Sequence, residues 1–280
     1  MGNIWFRNVA VSSLAGVYVS KMPDHKRASK RMAEYYVKGR DGALHVDEGF
    51  SNFDIQVTLI LIDAPATARQ LVNAWADGTG KLVTSDDQTK AYKATVIDEI
   101  RWSRAAAAEF VEPFLTTKAY YVGDLVKYSG QTYKFKANHS AGAWNASQVD
   151  PIYYTVNGLY DTAKITFNCE PFLYEAADSQ VVFTQSGELI NPGSADALPL
   201  IKVEGSGNVS FTFCGEEIGI DSMSANDPVY IDCATGYIYS ESGAAKAMHG
   251  EIPKIPLGTS AVTFGSNLTK LTVTPHWRWV

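Results

Sequence analysis

Residues 53–100 read FDIQVTLILIDAPATARQLVNAWADGTGKLVTSDDQTKAYKATVIDEI, and three periods follow one another in that run. The first ten residues alternate. Phe53, Ile55, Val57, Leu59 and Leu61 share one face, while Ile60 and Ile62 make the far end of the other face apolar. That pattern predicts a strand half buried at its start and buried on both sides at its end. From Pro65 to Asp77 the spacing lengthens to three and four. Ala68, Leu71, Val72 and Trp75 then fall on one helical face, with Asp63 as a candidate cap and Pro65 in the first turn. Gly78 sits where a left-handed residue ends a helix. Alternation returns at Lys81-Leu82-Val83 and over Lys90 to Ile100, with Asp86-Asp87 marking a turn between two strands.

Away from this run the chain is strand-like. Lys164 to Tyr174 carries another long alternation. Val181–Thr184, Leu200–Val203, Val209–Phe213, Val229–Asp232, Tyr237–Ser240, Ala261–Phe264 and Leu271–Thr274 recur at short intervals. Gly205-Ser206-Gly207, which reads as a hairpin turn, Thr235-Gly236 and Gly265-Ser266-Asn267 separate them. Seven short strands with regular turns predict a β-sandwich of roughly 100 residues. Trp277 and Trp279 are expected to pin the last strand to that core. Thr116 to Asn157 has a different texture, crowded with aromatics and broken by Gly123-Asp124 and Ser129-Gly130. It reads as a small inserted module with strands near Tyr120–Val122, Leu125–Tyr128 and Thr132–Lys136, joined at Pro113 and at Asn157-Gly158. The expected fold is mainly β, with three parts. Residues 1–112 plus 159–175 form an N-terminal β-sandwich with one helix. Residues 113–158 form the three-stranded insert, and 176–280 the C-terminal sandwich.

Composition narrows the function. With 280 residues, 46% hydrophobic and 19% charged, the chain has ample core material. A formal charge of −6 argues against stable nucleic-acid binding, which needs a basic face. No apolar run is long enough to insert in a membrane as a helix, and residues 1–16 do not read as a secretion signal. Cys169, Cys214 and Cys233 are odd in number and lack ligand spacing, so buried free thiols are expected. No metal or cofactor motif occurs among the five histidines or the glycines. Asp86-Asp87, Asp98-Glu99 and Glu216-Glu217 are adjacent pairs. On a strand they point to opposite faces, so they do not form the opposed carboxylates of a polysaccharide hydrolase. The expectation is a protein that is not an enzyme.

Three stretches together resemble the distal tail proteins of long-tailed siphophages. They are RQLVNAWADGTGKLVTSDDQTKAYKATVIDEI at 69–100, ITFNCEPFLY at 165–174, and an ordered C-terminal series. The series runs Asn191-Pro192-Gly193, Leu198 to Gly205, Val229-Tyr230-Ile231-Asp232 and Ile255-Pro256-Leu257-Gly258. The resemblance implies a hexameric ring built from the N-terminal domain, with a galectin-like C-terminal sandwich outside it. The ring would join the tail tube protein to the baseplate or a tip fibre protein, at the virion tail tip, after assembly in the host bacterial cytoplasm. The basic stretch KMPDHKRASKRMAEYYVK at 21–38 offers Lys26, Arg27, Lys30 and Arg31 as candidates for the ring interface.

Within the insert, AYYVGDLVKYSGQTY at 119–133 resembles small carbohydrate-binding modules of the chitin-binding type. That resemblance implies adhesion to host cell-wall polysaccharide, an alternative role that needs no ring. Aromatic faces stack on the C–H face of a pyranose while polar groups bond its hydroxyls. Tyr121, Tyr133, Trp144 and Tyr153, with Asn138 and His139, are the candidate set. Asn138-His139 stands where many members carry exposed paired aromatics, so Trp144 is the candidate substitute. Tyr120, Tyr128 and Tyr133 also suit the core of so small a fold.

Overall fold

A computed structural model describes residues 2–61, 65–106, 111–152 and 159–280. It divides into two compact units, Met1–Pro171 and Phe172–Val280. The fold is mainly β, as expected, with one α-helix among the described residues.

In the first unit eight strands hydrogen-bond into one sheet. Its order is Val9–Ala10, Ile4–Phe6, Thr79–Thr84, Asp87–Val96, Leu159–Glu175, Phe53–Leu61 and Val17–Lys21, with Arg101–Ala106 also paired to Leu159–Glu175. The Phe53–Leu61 strand buries the alternating face from Ile55 onward, and Ile60 as well. Helix Pro65–Ala76 buries Ala68, Val72 and Trp75. The Trp75 indole donates to the Val9 carbonyl at 2.9 Å, and its ring meets Phe6 and Phe167 edge-on at 5.9 and 5.8 Å. Gly78, at φ +84°, ends the helix in the left-handed region, and the Arg7 guanidinium donates to the Asp77 carbonyl there. The candidate cap Asp63 lies outside the described residues.

Three readings shift. The hairpin turn is Ser85-Asp86, since Thr84 pairs with Asp87. Its second strand ends at Val96, short of Ile100. The strand read from Lys164 starts at Leu159 and is central, pairing with Phe53–Leu61 on one edge and Arg101–Ala106 on the other. Asp161 hid that extension, because a carboxylate at an inward position breaks the apolar alternation. Arg69 at 2.7 Å and Arg104 at 3.1 Å supply the opposite charge that makes its burial tolerable.

The insert folds as a three-stranded sheet: Leu125–Tyr128, Gln131–Phe135 and Val149–Ile152. Ser129 and Gly130, at φ +48° and +81°, make the two-residue turn whose twist suits a hairpin. The expected strand at Tyr120–Val122 is instead a turn. The Asp124 carboxylate accepts the Tyr121 N–H at 2.8 Å, Gly123 turns the chain at φ +96°, and Tyr120 makes one bridge to His139. The third strand comes from Val149–Ile152, which has only two apolar ends. The joint at Asn157-Gly158 lies outside the described residues.

The second unit is a sandwich of two antiparallel sheets. The five-stranded sheet has the order Val181–Phe183, Leu268–Thr274, Leu200–Gly205, Val229–Asp232, Tyr237–Ser240. The four-stranded sheet has the order Gly187–Asn191, Gly258–Phe264, Gly207–Phe213, Glu216–Met223. All seven expected strands occur here. The two additions, Gly187–Asn191 and Glu216–Met223, are the edges of the smaller sheet, where one-sided burial leaves a weak apolar signal. Trp277 is buried in the core between the sheets and Trp279 packs against it.

Gly205-Ser206-Gly207 is not a hairpin turn. It carries the chain from one sheet to the other, as does Gly265-Ser266-Asn267, and the two crossings touch. A β-carbon on Gly205 would press into the Asn267 carbonyl oxygen at 2.5 Å, so only glycine permits that approach.

The three cysteines are free thiols. Burial pushes Cys169 and Cys233 up to about 12, and raises the half-buried Cys214 in the same direction. Unfolded, a thiol ionises near ~8.5. Between that pH and about 12 the unfolded chain therefore releases protons that the folded chain retains. The thiols' contribution to stability is full below pH ~8.5 and declines as pH rises through this window. In a disulfide-exchange assay at pH 8.5, at most Cys214 should react in the native protein, with the other two appearing on adding denaturant. Fast titration of Cys169 or Cys233 in the native state would contradict their burial.

Candidate functional site

One feature of the first unit stands apart from its core. Lys30–Tyr35 and Leu44–Phe50 pair antiparallel as a two-stranded ribbon, and among the described residues they join no other sheet. Ala33 pairs with Val46 and Tyr35 with Leu44, so these four residues share one face. That face is apolar and open: Tyr35 is 55% exposed, Val46 47% and Leu44 38%. Glu34 and His45 lie on the opposite face, 3.7 Å apart. The 36–43 loop at the tip adds exposed Tyr36 and Val37.

The sequence alternates apolar and polar residues over Leu44-His45-Val46-Asp47 in the second arm and over Ala33-Glu34-Tyr35 in the first, where Met32 is exposed on the face of Glu34. Gly39 and Gly42, both at positive φ, close the tip. Of the candidate ring cations, two brace the ribbon's base and a third bonds to the Phe53–Leu61 strand. Lys30 Nζ lies 2.6 Å from Asp47, holding that carboxyl below its ordinary value, and sits over the Phe50 ring. Arg31 donates to the Glu48 carbonyl at 2.8 Å, and Lys26 to the Asp54 carbonyl at 2.9 Å. Arg27 is exposed. The candidate cations lie beside exposed apolar residues, Tyr35, Leu44 and Val46, that the reading for basic residues left out. The signal for those three was two short alternations, Ala33-Glu34-Tyr35 and Leu44-His45-Val46.

The candidate sugar set of the insert is not gathered on one surface. His139 is buried among Phe114, Tyr120 and Phe135, with Nδ1 at 2.6 Å from the Gln148 side-chain oxygen. Asn138 accepts the Val122 N–H at 3.1 Å. Trp144 is half-buried, with one face stacked on Tyr128 at 4.1 Å and its edge against Tyr133. Tyr121 is 64% exposed. Tyr153 lies outside the described residues. Tyr120 belongs to the module's core, stacked on Phe135 at 4.9 Å, whereas Tyr128 keeps part of its ring in solvent.

Among the described residues, no three His, Cys, Asp or Glu side chains converge as metal ligands, and no helix is long and apolar enough to cross a membrane. Asp87 is occupied with capping the Thr89 N–H at 2.9 Å, and Glu216 and Glu217 open an edge strand.

No protein-family model matches the chain, and no curated protein matches it. Solved structures do. SPP1 Dit (gp 19.1), described as a paradigm of the hub adsorption apparatus in phages infecting Gram-positive bacteria, matches over 98% of both chains, with 11% identity and a TM-score of 0.58. The chain has the fold of a phage hub protein. Two structures of the phage p2 baseplate in its activated conformation, with Sr and with Ca, align over 97% of this chain. Their identities are 8% and 9%, and both TM-scores are 0.43. At such identities the SPP1 match speaks for the path of the backbone, and the p2 matches add no argument to it.

Proposed function

We propose that this chain is a structural component of a phage tail tip, in which its first unit closes a hexameric ring between the tail tube and the baseplate or tip fibre. The observation that carries the proposal is the amphipathic ribbon of residues 30–50. A two-stranded hairpin is marginal in water by itself, and a third partner on its apolar face is what makes such a ribbon durable. A second copy of the chain is the partner in a closed ring, where each protomer gives its ribbon to the next. The hub-protein fold over nearly the whole chain supports this reading.

Mass photometry of the purified chain at micromolar concentration should show six-copy particles, and negative-stain images of them should show rings. A protein that stays monomeric alone and in the presence of tail tubes would end the proposal. For wall adhesion through residues 113–158, the geometry offers Tyr121 and the open face of Tyr128 rather than a gathered set of rings and hydrogen-bonding groups. The ring is therefore the function favoured here.

A further inference from the structure

The second unit carries a row of side chains across the outer face of its five-stranded sheet. Val182, Thr272, Lys202, Tyr230 and Tyr239 stand directly opposite one another on five successive strands. Thr274, Leu200, Asp232 and Tyr237 make a parallel row. At ~4.8 Å between strands, the strip is about 19 Å long. A groove of about 330 Å³ runs along it, lined by Gln180, Lys202, Glu204, Tyr230, Thr272 and Thr274 among others. That volume falls at the small end of ligand sites.

Two properties define what the groove suits. First, the strip continues beyond the groove from Tyr230, which lines it, as an aromatic ladder. Tyr230 stacks on Tyr239 and Tyr239 on Tyr237, each pair at 5.3 Å and nearly parallel, and Tyr237 at the end of the ladder is 51% exposed. Second, apart from Val182 and Leu200 the rest is polar, with no excess of positive charge. Lys202 lies 3.3 Å from Glu241 and 3.9 Å from Glu204, Lys270 lies 3.2 Å from Glu204, and the Tyr230 hydroxyl donates to Glu241. Lys202 and Lys270 face Glu204, Glu241 and the Asp232 of the second row, so the strip lacks the net positive charge that a nucleic acid or another polyanion requires.

We infer that this strip is a binding site for a neutral oligosaccharide. A sugar ring would stack on the open face of Tyr237, and the hydroxyls of neighbouring rings would bond Thr272, Thr274, Gln180 and the Lys202–Glu204 pair. Hydroxyl-rich ligands exploit such a surface because each hydroxyl both donates and accepts, and so fits alternating cations, carboxylates and threonines. The inference rests on the second unit alone and stands whether or not the first unit closes a ring.

The test is calorimetric titration of the full chain with chitotetraose, maltotetraose and β1,4-linked galactotetraose, with heparin as the anionic comparison. At least one neutral tetrasaccharide should bind with millimolar or tighter affinity. Y237A should weaken it tenfold or more, and T272A severalfold. Both positions are solvent-facing, so thermal unfolding should show these variants folded as the parent. Y121A in the insert should bind as the parent does. Three outcomes overturn the inference: no neutral tetrasaccharide binds, heparin binds more tightly than all three, or Y121A abolishes binding while Y237A does not.

Discussion

Replacing Tyr35, Leu44 and Val46 together by lysine should hold the protein as a monomer at concentrations where the parent forms rings. Each of these side chains leaves a large part of its surface in water in the single chain. Fully burying such a side chain is worth roughly 1.5–3 kcal/mol, and about half of that is still to be gained, on the order of 1 kcal/mol each. Losing three of them weakens one protomer contact by about 3 kcal/mol, or somewhat over 100-fold in its dissociation constant. Lysine adds a desolvation cost on top, because its ammonium would have to enter the contact. The triple variant should retain the fold, since the ribbon contributes little to the unit's buried core. Mass photometry and circular dichroism read the two halves of this expectation. If the folded triple variant assembles like the parent, the apolar face of the ribbon is not the contact. Removing the charges of Lys26 and Arg27 instead should have a smaller effect, because exposed ion pairs contribute about 0–1 kcal/mol each.

Phe167→Ala should be the most damaging single truncation in the first unit. Phe167 is fully buried on the central strand Leu159–Glu175 and touches Phe6 and Trp75 in edge-to-face contacts, at 4.9 and 5.8 Å. Those rings belong to the first strand and the helix, so this one side chain links three elements. Truncation at such a site costs about 3–5 kcal/mol from lost transfer energy and the cavity left behind. For a unit of this size that lowers the unfolding midpoint by on the order of 10 °C. Lys164→Ala on the solvent side of the same strand should change stability by less than about 0.5 kcal/mol. Differential scanning calorimetry compares the two, and similar midpoints would remove Phe167 from the centre of the core.

A neighbouring position illustrates a different kind of dependence. Asp161 is buried, yet its two arginine partners are partly in solvent, with Arg69 also lying over the Trp102 ring. The carboxylate fastens the helix and the Arg101–Ala106 strand to the central strand. Nothing in local sequence foretells that fastening, because Arg69, Arg104 and Asp161 are far apart along the chain.

How much could be read in advance follows from how far apart the deciding residues are. Alternation over 53–61, the helical spacing from Ala68 to Trp75, the glycine after the helix and the seven sandwich strands are local patterns. Each depends on residues within one or two turns of chain, and each was legible. The Asp161 extension, the sheet crossing at Gly205 and the strand at Val149–Ile152 depend on partners 57 to 92, 62 and 14 to 20 residues away, and were not. The same holds for candidate sites. An aromatic residue in sequence does not say whether its ring faces water, so His139 and Trp144 looked available until packing covered them. Alternation as short as Leu44-His45-Val46 does not say whether a core lies beneath it, so in the sequence the region around residues 30–50 stood out only by its basic residues. Periodicity is set by backbone geometry and belongs to the sequence. Exposure is set by what the rest of the chain leaves uncovered, and only the folded structure decides it.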